Sequence, residues 1–266
     1  QVARMLGSRP DEVAFTSGAT EADNLAILGV ARRAARPGRI VTTAVEHHAV
    51  LDTCRALAPE GVTTEILPVD GGGRVDAGAV AAAAAHDDTL LVSVMAANNE
   101  VGTIQPVEAI GRECKRRGVL FHCDAAQAVG RIPIDVEAWG VDLLALSGHK
   151  FHAPQGVGAL YVRRRAPRVQ LAPVLFGGGQ EMGLRPGTLN VPGIVGLGRA
   201  AEICRGEMPA ESARLAALRD RLLAGLQREV PGVRLNGPAA DRRLPHNLHV
   251  SFDDVEGEAL VMALGE

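Results

Sequence analysis

The sequence is poor in aromatic residues and carries no strong excess of charge. Only 3% of its 266 residues are aromatic, with one Trp and one Tyr, and the formal net charge is −3. Proteins that bind single-stranded nucleic acid stack bases on aromatic side chains, and binding a polyanion needs a basic surplus. We therefore expect no nucleic-acid partner, and we interpret the arginine run at 163–165 as a solvated surface segment.

Two further absences concern the membrane and the redox environment. No apolar run approaches the ~20 residues that a membrane-spanning helix needs, so we expect no membrane partner. The cysteines show no C-x-x-C spacing and no signal peptide is visible, which indicates reduced thiols in a cytoplasmic protein. The cysteines are Cys54, Cys114, Cys123 and Cys204.

The motifs of two common kinds of site are also missing. There is no G-x-x-x-x-G-K-[ST] sequence, which argues against a P-loop for nucleotide triphosphates. His47 and His48 are adjacent, and neighbouring histidines cannot both face one ion from a strand or a helix. We therefore predict no metal site.

Apolar segments typical of strands alternate with amphipathic segments typical of helices. Strands are predicted at Val13–Thr16, Arg39–Thr43, Val62–Leu67, Thr89–Met95, Val119–Cys123, Val141–Leu146 and Gly158–Val162. Helices are predicted at about Thr20–Ala35, His48–Leu57, Asp76–Ala85 and Pro106–Arg117. This order predicts βαβ units and an α/β fold with a mostly parallel sheet.

The pattern changes after about Met208. A charged amphipathic helix and two short strands follow, predicted at Ala210–Glu229, Val233–Leu235 and His246–Phe252. We predict a large domain over residues 1–208 and the start of a smaller α+β domain over residues 209–266, with too few elements to close its own core. Because Gln1 is not a start methionine and both ends resemble interrupted helices, we expect the chain to be a fragment.

Two residues suited to cofactor chemistry follow neighbouring predicted strands. Asp124 ends one strand, and Lys150 follows the next within the sequence Ser147-Gly148-His149-Lys150. Ligands of open α/β sheets bind at the carboxyl ends of the strands. A lysine can form a Schiff base with an aldehyde cofactor, and a carboxylate can keep the cofactor's pyridine nitrogen protonated. The pair therefore indicates this kind of cofactor.

Other candidates for ligand binding each have a simpler interpretation beside them. Small residues at Ser17–Glu21 precede a helix, where backbone amides could bind a phosphate, although Thr20 is also a good N-cap. An imidazole of the Glu46-His47-His48 segment could stack on a planar ligand, or could cap the next helix. Asn98-Asn99 could donate to a ligand, or could only form a turn.

Three more features are candidates for a functional role. Gln127 follows Asp124 by three residues and could reach the same ligand, and His122 lies on the same side of the strand as Asp124. Two glycine-containing segments, Gly177–Glu181 and Arg185–Thr188, indicate a functional loop, with a flexible connection as the alternative.

Seven motifs stand in a fixed order along the chain. They are TSGATEADN (Thr16–Asn24), EHHAVLDTC (Glu46–Cys54), NNEVGTIQP (Asn98–Pro106), HCDAAQAVG (His122–Gly130), SGHKFHAPQGVGALYVRR (Ser147–Arg164), GGGQEMGLRPGT (Gly177–Thr188) and HNLHVSF (His246–Phe252). Together they closely resemble the cysteine desulfurases, fold-type I pyridoxal-phosphate enzymes of the class V aminotransferase group. The GGGQE…RPGT form resembles the branch that serves iron–sulfur cluster assembly.

The resemblance implies a large domain with helices on both faces of the sheet, and a homodimer that uses pyridoxal 5'-phosphate. L-Cysteine would become L-alanine, and sulfur would leave as a persulfide for an acceptor or scaffold protein in iron–sulfur cluster or thio-cofactor synthesis. Lys150 would bind the cofactor aldehyde and move the substrate proton, while Asp124 would pair with the ring nitrogen. His47 would stack on the ring and assist proton transfer.

The same resemblance implies the remaining cofactor contacts. Gln127 and Asn99 would hydrogen-bond the cofactor's phenolic oxygen or the substrate. The phosphate would be held by Ala19, Thr20, Ser147 and His149. Thr188 would reach the phosphate of the neighbouring subunit.

The chain departs from the family at one functional position. The cysteine that forms the persulfide and the arginine that binds the substrate carboxylate lie, in the family, beyond the point where this sequence stops. None of the four cysteines matches that position. Two alternatives therefore stand beside the desulfurase hypothesis: another class V enzyme, such as an amino-acid lyase or aminotransferase, or a truncated non-catalytic protein that binds pyridoxal phosphate or a partner.

Overall fold

A seven-stranded mixed sheet forms the centre of the protein in the computed structural model, which describes residues 1–265. Its strands are β1 (Val13–Thr16), β2 (Arg39–Thr43), β3 (Thr63–Leu67), β4 (Thr89–Ser93), β5 (Leu120–Asp124), β6 (Leu143–Ser147) and β7 (Gly158–Val162). Their spatial order is β1-β7-β6-β5-β4-β2-β3, and only β7 runs against the others. The predicted α/β fold with a mostly parallel sheet is confirmed.

Helices cover both faces of this sheet. They are α1 (Val2–Leu6), α2 (Ala19–Arg33), α3 (His48–Ala56), α4 (Ala77–Ala84), α5 (Val107–Arg117) and α6 (Val191–Glu229), while the last helix, α7 (Gly257–Leu264), has no buried residue. Neighbouring residues of one strand point to opposite faces. Leu143 of β6 accordingly packs in the core shared with α2 and α3, and Leu144 in the core shared with α1, α4, α5 and α6. The sheet is therefore buried on both sides, as parallel sheets usually are.

The largest difference from the predicted elements is the length of α6. This helix begins at Val191, 19 residues before the predicted start at Ala210, and continues through Pro209. The Asn190 side chain caps it by accepting a hydrogen bond from the Gly193 amide at 3.1 Å. Glycines and a proline weaken the helical pattern here, but burial of Leu197 against the core offsets their cost. The predicted domain division at 208/209 falls inside this helix and stays a prediction.

Beyond α6, a two-stranded antiparallel sheet joins β8 (Val233–Leu235) to β9 (Val250–Phe252). The predicted strand over His246–Phe252 is thus shorter than expected. Within residues 1–265, no helix is long and apolar enough to cross a membrane.

A buried arginine ties this second sheet to the main one. Arg243 is 3% exposed and donates to the Val101 carbonyl at 2.9 Å, to Asn247 Oδ1 at 2.9 Å and to the Pro238 carbonyl at 3.0 Å. In the described chain no carboxylate pairs with it, and burial together with the charge of Arg219 lowers its pKa. The guanidinium therefore holds the loop after β4 to the segment before β9 through carbonyl oxygens.

Replacing this arginine should destabilise the protein. Arg243→Ala removes several hydrogen bonds from a charged donor and leaves partly buried carbonyls without partners, so we expect the free energy of unfolding to fall by about 3 kcal/mol. Urea unfolding measures the change. The control is Arg242→Ala, because the Arg242 side chain is 61% exposed, and its effect should stay within about 0.5 kcal/mol. Equal losses for the two variants would contradict the role given to Arg243.

Candidate active site

A cavity of about 490 Å³ opens at the carboxyl ends of the parallel strands. Its walls come from the segments that follow β1, β2, β4, β5 and β6, and from the turn that precedes β7. Because β7 is antiparallel, the start of that strand lies at the same edge as the ends of the others. The sheet topology thus gathers segments that are far apart in sequence around one space.

Nine of the ten residues predicted to bind a cofactor line this cavity. They are Ala19, Thr20, His47, Asn99, Asp124, Gln127, Ser147, His149 and Lys150. Thr188 does not: it is exposed, on the loop between β7 and α6. The roles of these residues stay predictions, but their convergence on one cavity is a feature of the fold.

The segment before α2 has the features of an anion site. The N-cap of α2 is Gly18, with no side-chain hydrogen bond, so the alternative interpretation of Thr20 as the N-cap is wrong. A Cβ atom on Gly158 would lie 2.6 Å from the Gly18 Cα, which means that the loop packs directly on β7. Beside this loop, Ser147 Oγ would lie 3.5 Å from a Cβ atom on Gly18, and it lies 3.0 Å from His149 Nδ1. Free amides at a helix start favour a phosphate.

The capping interpretation of His47 applies, and it fixes the imidazole ring. His47 is the N-cap of α3, and its Nδ1 accepts a hydrogen bond from the Ala49 amide at 3.0 Å. Since Nδ1 acts as an acceptor, the neutral ring carries its proton on Nε2. The cap therefore sets both the tautomer and the orientation of a ring that borders the cavity.

The two asparagines after β4 have different surroundings. Asn98 is buried and forms the turn, because its Oδ1 accepts from the amides of Glu100 and Val101, each at 2.9 Å, and its Nδ2 donates to the Val45 carbonyl. Asn99 is exposed and lines the cavity. The turn interpretation thus holds for Asn98, and Asn99 is left available to a ligand.

Asp124 and Lys150 occupy opposite kinds of environment within the cavity. Asp124 is 5% exposed, and its Oδ1 accepts from the Ala126 amide at 2.8 Å. Burial raises its pKa, while that amide and the nearby His47 and Lys150 oppose the increase. Lys150 lies in a short 3-10 turn and is exposed to solvent. The carboxylate is therefore held rigidly, and the amine is accessible.

Two further buried acids, Asp23 and Glu46, lie close enough to Asp124 to affect its surroundings electrostatically. Asp23 of α2 also lines the cavity, and burial together with the charge of Asp124 raises its pKa well above the ordinary value. Burial raises the pKa of Glu46 to about 8, although Met95 N and Thr43 Oγ1 donate to its Oε1. The sequence interpretation named Glu46 without a role and did not single out Asp23. One feature of the sequence could have identified Asp23: it is an acidic residue among Ala22, Ala26 and Ile27, on the apolar side of a helix.

The residues and the cavity agree with a known family. The model of the class-V aminotransferase family matches residues 1–266. The chain belongs to this family. Its members depend on pyridoxal phosphate. The predicted resemblance to cysteine desulfurases is confirmed by the relatives and the solved structures.

Two curated relatives are similar over nearly the whole chain. Over 265 residues the identity is 51% to the cysteine desulfurase IscS of Anaeromyxobacter dehalogenans (strain 2CP-C) and 50% to the cysteine desulfurase IscS of Pectobacterium carotovorum subsp. carotovorum (strain PC1). Each match covers 99% of this chain and 65% of the relative, so the chain spans about 65% of the length of these curated relatives.

Solved structures show the same fold. A NifS-like protein superposes with a TM-score of 0.93 at 43% identity, over 99% of this chain and 71% of that one. DndA from Streptomyces lividans superposes with a TM-score of 0.90 at 42% identity, over 99% of this chain and 74% of that one.

The residues of the cavity fit pyridoxal phosphate. The cofactor has a phosphate at one end, a basic ring nitrogen at the other and an aldehyde beside the ring. The cavity offers the free start of α2, the buried carboxylate of Asp124 and the accessible amine of Lys150. Each chemical group of the cofactor thus has a complementary group in the chain.

The raised pKa of Glu46 predicts a pH-dependent stability. Between the ordinary value of 4.5 and about 8, the native state keeps a proton that the unfolded chain releases, so the free energy of unfolding falls as pH rises. One proton corresponds to at most about 1.4 kcal/mol per pH unit. Glu46→Gln keeps the acceptor for Met95 and Thr43 and removes this titration. Urea unfolding between about pH 5 and about pH 8 should therefore give a flatter profile for the variant.

The matched control for this measurement is Glu108→Gln, on the exposed side of α5. Its profile should run parallel to that of the unaltered protein. If the Glu46→Gln profile is as steep as the profiles of the control and the unaltered protein, then Glu46 is not the group that keeps an extra proton in the native state.

Proposed function

We propose that the protein is a cysteine desulfurase that uses pyridoxal phosphate to convert L-cysteine to L-alanine. A cysteine thiol takes the sulfur as the carbon–sulfur bond of the substrate breaks, and the persulfide that forms on this thiol passes its outer sulfur to an acceptor protein, for iron–sulfur clusters or thio-cofactors. The observation that carries the proposal is the shared cavity of Asp124, Lys150 and the start of α2. The names of the relatives at about 50% identity support cysteine as the substrate.

Several side chains of the protein have separate roles in this reaction. When bound, the cofactor supplies an aldehyde and an electron-accepting ring. Asp124 holds the proton of the ring nitrogen, and Lys150 Nζ takes a proton from the substrate α-carbon and returns one to the product. His47 contacts the ring face, and its Nε2 proton is available for transfer. Asn99 and Gln127 orient the ligand through hydrogen bonds from their amides.

The phosphate group anchors the cofactor in this proposal. The amides of Ala19 and Thr20 at the start of α2, the Thr20 hydroxyl, Ser147 and His149 bind its oxygens. The anchor fixes the distance between the ring and Lys150. Correct positioning of reacting groups makes a large contribution to the rate of such reactions.

The sulfur-accepting thiol is not among the four cysteines. None of them lines the cavity. Burial raises the pKa of both Cys54 and Cys114 to about 12 and raises that of Cys123 well above its ordinary value, so these thiols stay protonated at neutral pH. Only the thiolate is a good nucleophile. Cys204 is half-buried and borders a different cavity, beside α6.

The proposal includes a homodimer in the cytoplasm. Thr188 is exposed on a loop outside its own cavity, a position that suits a contact with the phosphate of a neighbouring subunit. All four cysteines are free, which agrees with a reducing compartment. No nucleic acid or membrane takes part in this reaction.

Substitution of Lys150 tests the central assignment. The sequence contains only two lysines, Lys115 and Lys150, so a matched control is at hand. Lys150→Ala should abolish the visible absorbance that pyridoxal phosphate gains when a lysine holds its aldehyde, and alanine formation from L-cysteine, measured with an added thiol as the sulfur acceptor, should fall to background. Lys115→Ala, on the exposed side of α5, should keep both.

Borohydride reduction followed by peptide mapping locates the bound cofactor directly. The label should lie on Lys150, and a label on Lys115 or an unchanged absorbance in Lys150→Ala would contradict the assignment. Assays of alanine and sulfide with L-cysteine and with other amino acids separate a desulfurase from another class V enzyme.

A mixed dimer tests the role of Thr188. If each cavity uses Lys150 of one subunit and Thr188 of the other, a dimer of one Lys150→Ala and one Thr188→Ala subunit contains one intact site. Purified with two different tags, it should bind one cofactor with the affinity of the unaltered protein. The Thr188→Ala homodimer should bind about tenfold more weakly, since a buried phosphate oxygen loses its partner. Thr188→Ser keeps the hydroxyl and should bind normally.

Two results would contradict this arrangement. One is a mixed dimer whose cofactor affinity equals that of the Thr188→Ala homodimer. The other is a cofactor-loaded protein that sediments as a monomer.

A further inference from the structure

Asp23 is a fully buried acid without a defined partner. Its relative exposure is 0%, and neither carboxyl oxygen has a hydrogen-bond partner among residues 1–265. It nevertheless lines the cavity, one turn along α2 from Thr20. An isolated buried carboxylate is strongly disfavoured, and such a group is instead protonated or finds a donor.

His122 is the neighbour that can form a hydrogen bond with the Asp23 carboxyl group. Its Nδ1 lies 2.9 Å from Ser93 Oγ, and its Nε2 lies 3.3 Å from Asp23 Oδ1. Neither Nε2 nor the carboxyl oxygens of Asp23 have another hydrogen-bond partner within residues 1–265, so one proton can lie between the two side chains. Because burial disfavours the carboxylate, that proton belongs to the carboxyl group, which donates it to the lone pair of Nε2. The imidazole would then carry its own proton on Nδ1 and donate it to Ser93.

Charge balance at the cavity floor favours the same arrangement. Of the three buried acids, Asp124 is the one whose raised pKa is opposed by a nearby imidazole and a nearby amine, His47 and Lys150. Glu46 receives hydrogen bonds from Thr43 and Met95. For Asp23, burial and the nearness of Asp124 and Glu46 all raise the pKa, and no cationic group among residues 1–265 opposes the increase. Two carboxylates close together in a buried site cannot both ionise easily, so Asp23 is the one that keeps its proton.

The imidazole cannot supply the missing positive charge. Burial lowers the pKa of His122 to about 3, so the ring is neutral at physiological pH. Burial therefore disfavours an ion pair between a charged His122 and a charged Asp23. The two side chains share a single proton within a neutral unit.

We propose that Asp23 is a positioning residue that stays a neutral acid, donates its proton to His122 Nε2 and so leaves Asp124 as the single anion at the floor of the cavity. The benefit to the cofactor ring rests on the proposed function, while the location of the proton does not. Asp23 and Asp124 are held in fixed relation because Asp23 is on α2 and His122 is two residues before Asp124 on β5.

Two substitutions of Asp23 separate this role from simple packing. Asn is an isostere of the protonated acid, because its amide can donate to His122 Nε2 as the carboxyl group does. Leu has a similar shape and offers no donor. Asp52→Asn, on the exposed side of α3, is the control for removal of an acid elsewhere. Thermal unfolding identifies any variant that does not fold.

The decisive measurement is the nitrogen-15 NMR spectrum of histidine-labelled protein, with His122 assigned by the signal lost in His122→Gln. We expect a protonated Nδ1 and an unprotonated Nε2, with and without the cofactor. Asp23→Asn should keep this tautomer. A proton on Nε2 in the unaltered protein would overturn the proposal, whether or not the Leu variant folds.

Cofactor binding provides the second readout. The dissociation constant of pyridoxal phosphate should stay within about threefold in Asp23→Asn and rise about tenfold in Asp23→Leu, where His122 loses its partner. Equal weakening by both substitutions would overturn the positioning role. A third outcome separates the two proposals. If neither the unaltered protein nor any variant binds the cofactor, but His122 has the expected tautomer, then the proposed function fails and the proton assignment stands.

Discussion

The burial of one carboxylate at the end of a central strand constrains the whole site. Asp124 lies where β5 leaves the sheet, with apolar cores on both faces, and burial raises its pKa. An anion there needs compensation, and the Ala126 amide, His47 and Lys150 provide it from three different segments. The parallel topology is what brings those segments to one edge. The site therefore depends on the sheet more than on any single loop.

Sequence patterns predicted this arrangement well where the signal is local. Strands β1, β2 and β7 have the predicted bounds, and Asp124 and Lys150 lie at the expected strand ends. Apolar runs and the residues that follow them are properties of short segments, so they can be predicted from the sequence of each segment alone. The early start of α6 was missed because Gly198, Gly206 and Pro209 interrupt the helical pattern, and only packing on the core shows that the helix continues.

The parts that could not be predicted are contacts between distant segments. Asp23 and His122 are 99 positions apart, and their 3.3 Å approach depends on how α2 crosses β5. Glu46 likewise becomes a buried acid because the Met95 amide, 49 residues away, meets its Oε1. Nothing in a single segment encodes such distances. A polar residue within an apolar helical stripe is the one local sign that a buried partner exists, and Asp23 carries it.

Helix α2 joins the two ends of the proposed cofactor site into one rigid body. Its first turn contains Ala19 and Thr20, and Asp23 follows one turn later on the same side. Glu21 would repel a phosphate, but its Oε2 accepts from the Ser17 amide at 2.7 Å and its Oε1 from Arg185 at 2.7 Å. Burial opposes ionisation of Glu21, yet these donors lower its pKa, so the acid is neutralised by pairing. The loop that carries Arg185 thereby braces the first turn of the helix, while His122 on β5 contacts Asp23 one turn later. A displacement of α2 would therefore move the proposed phosphate site and Asp23 together.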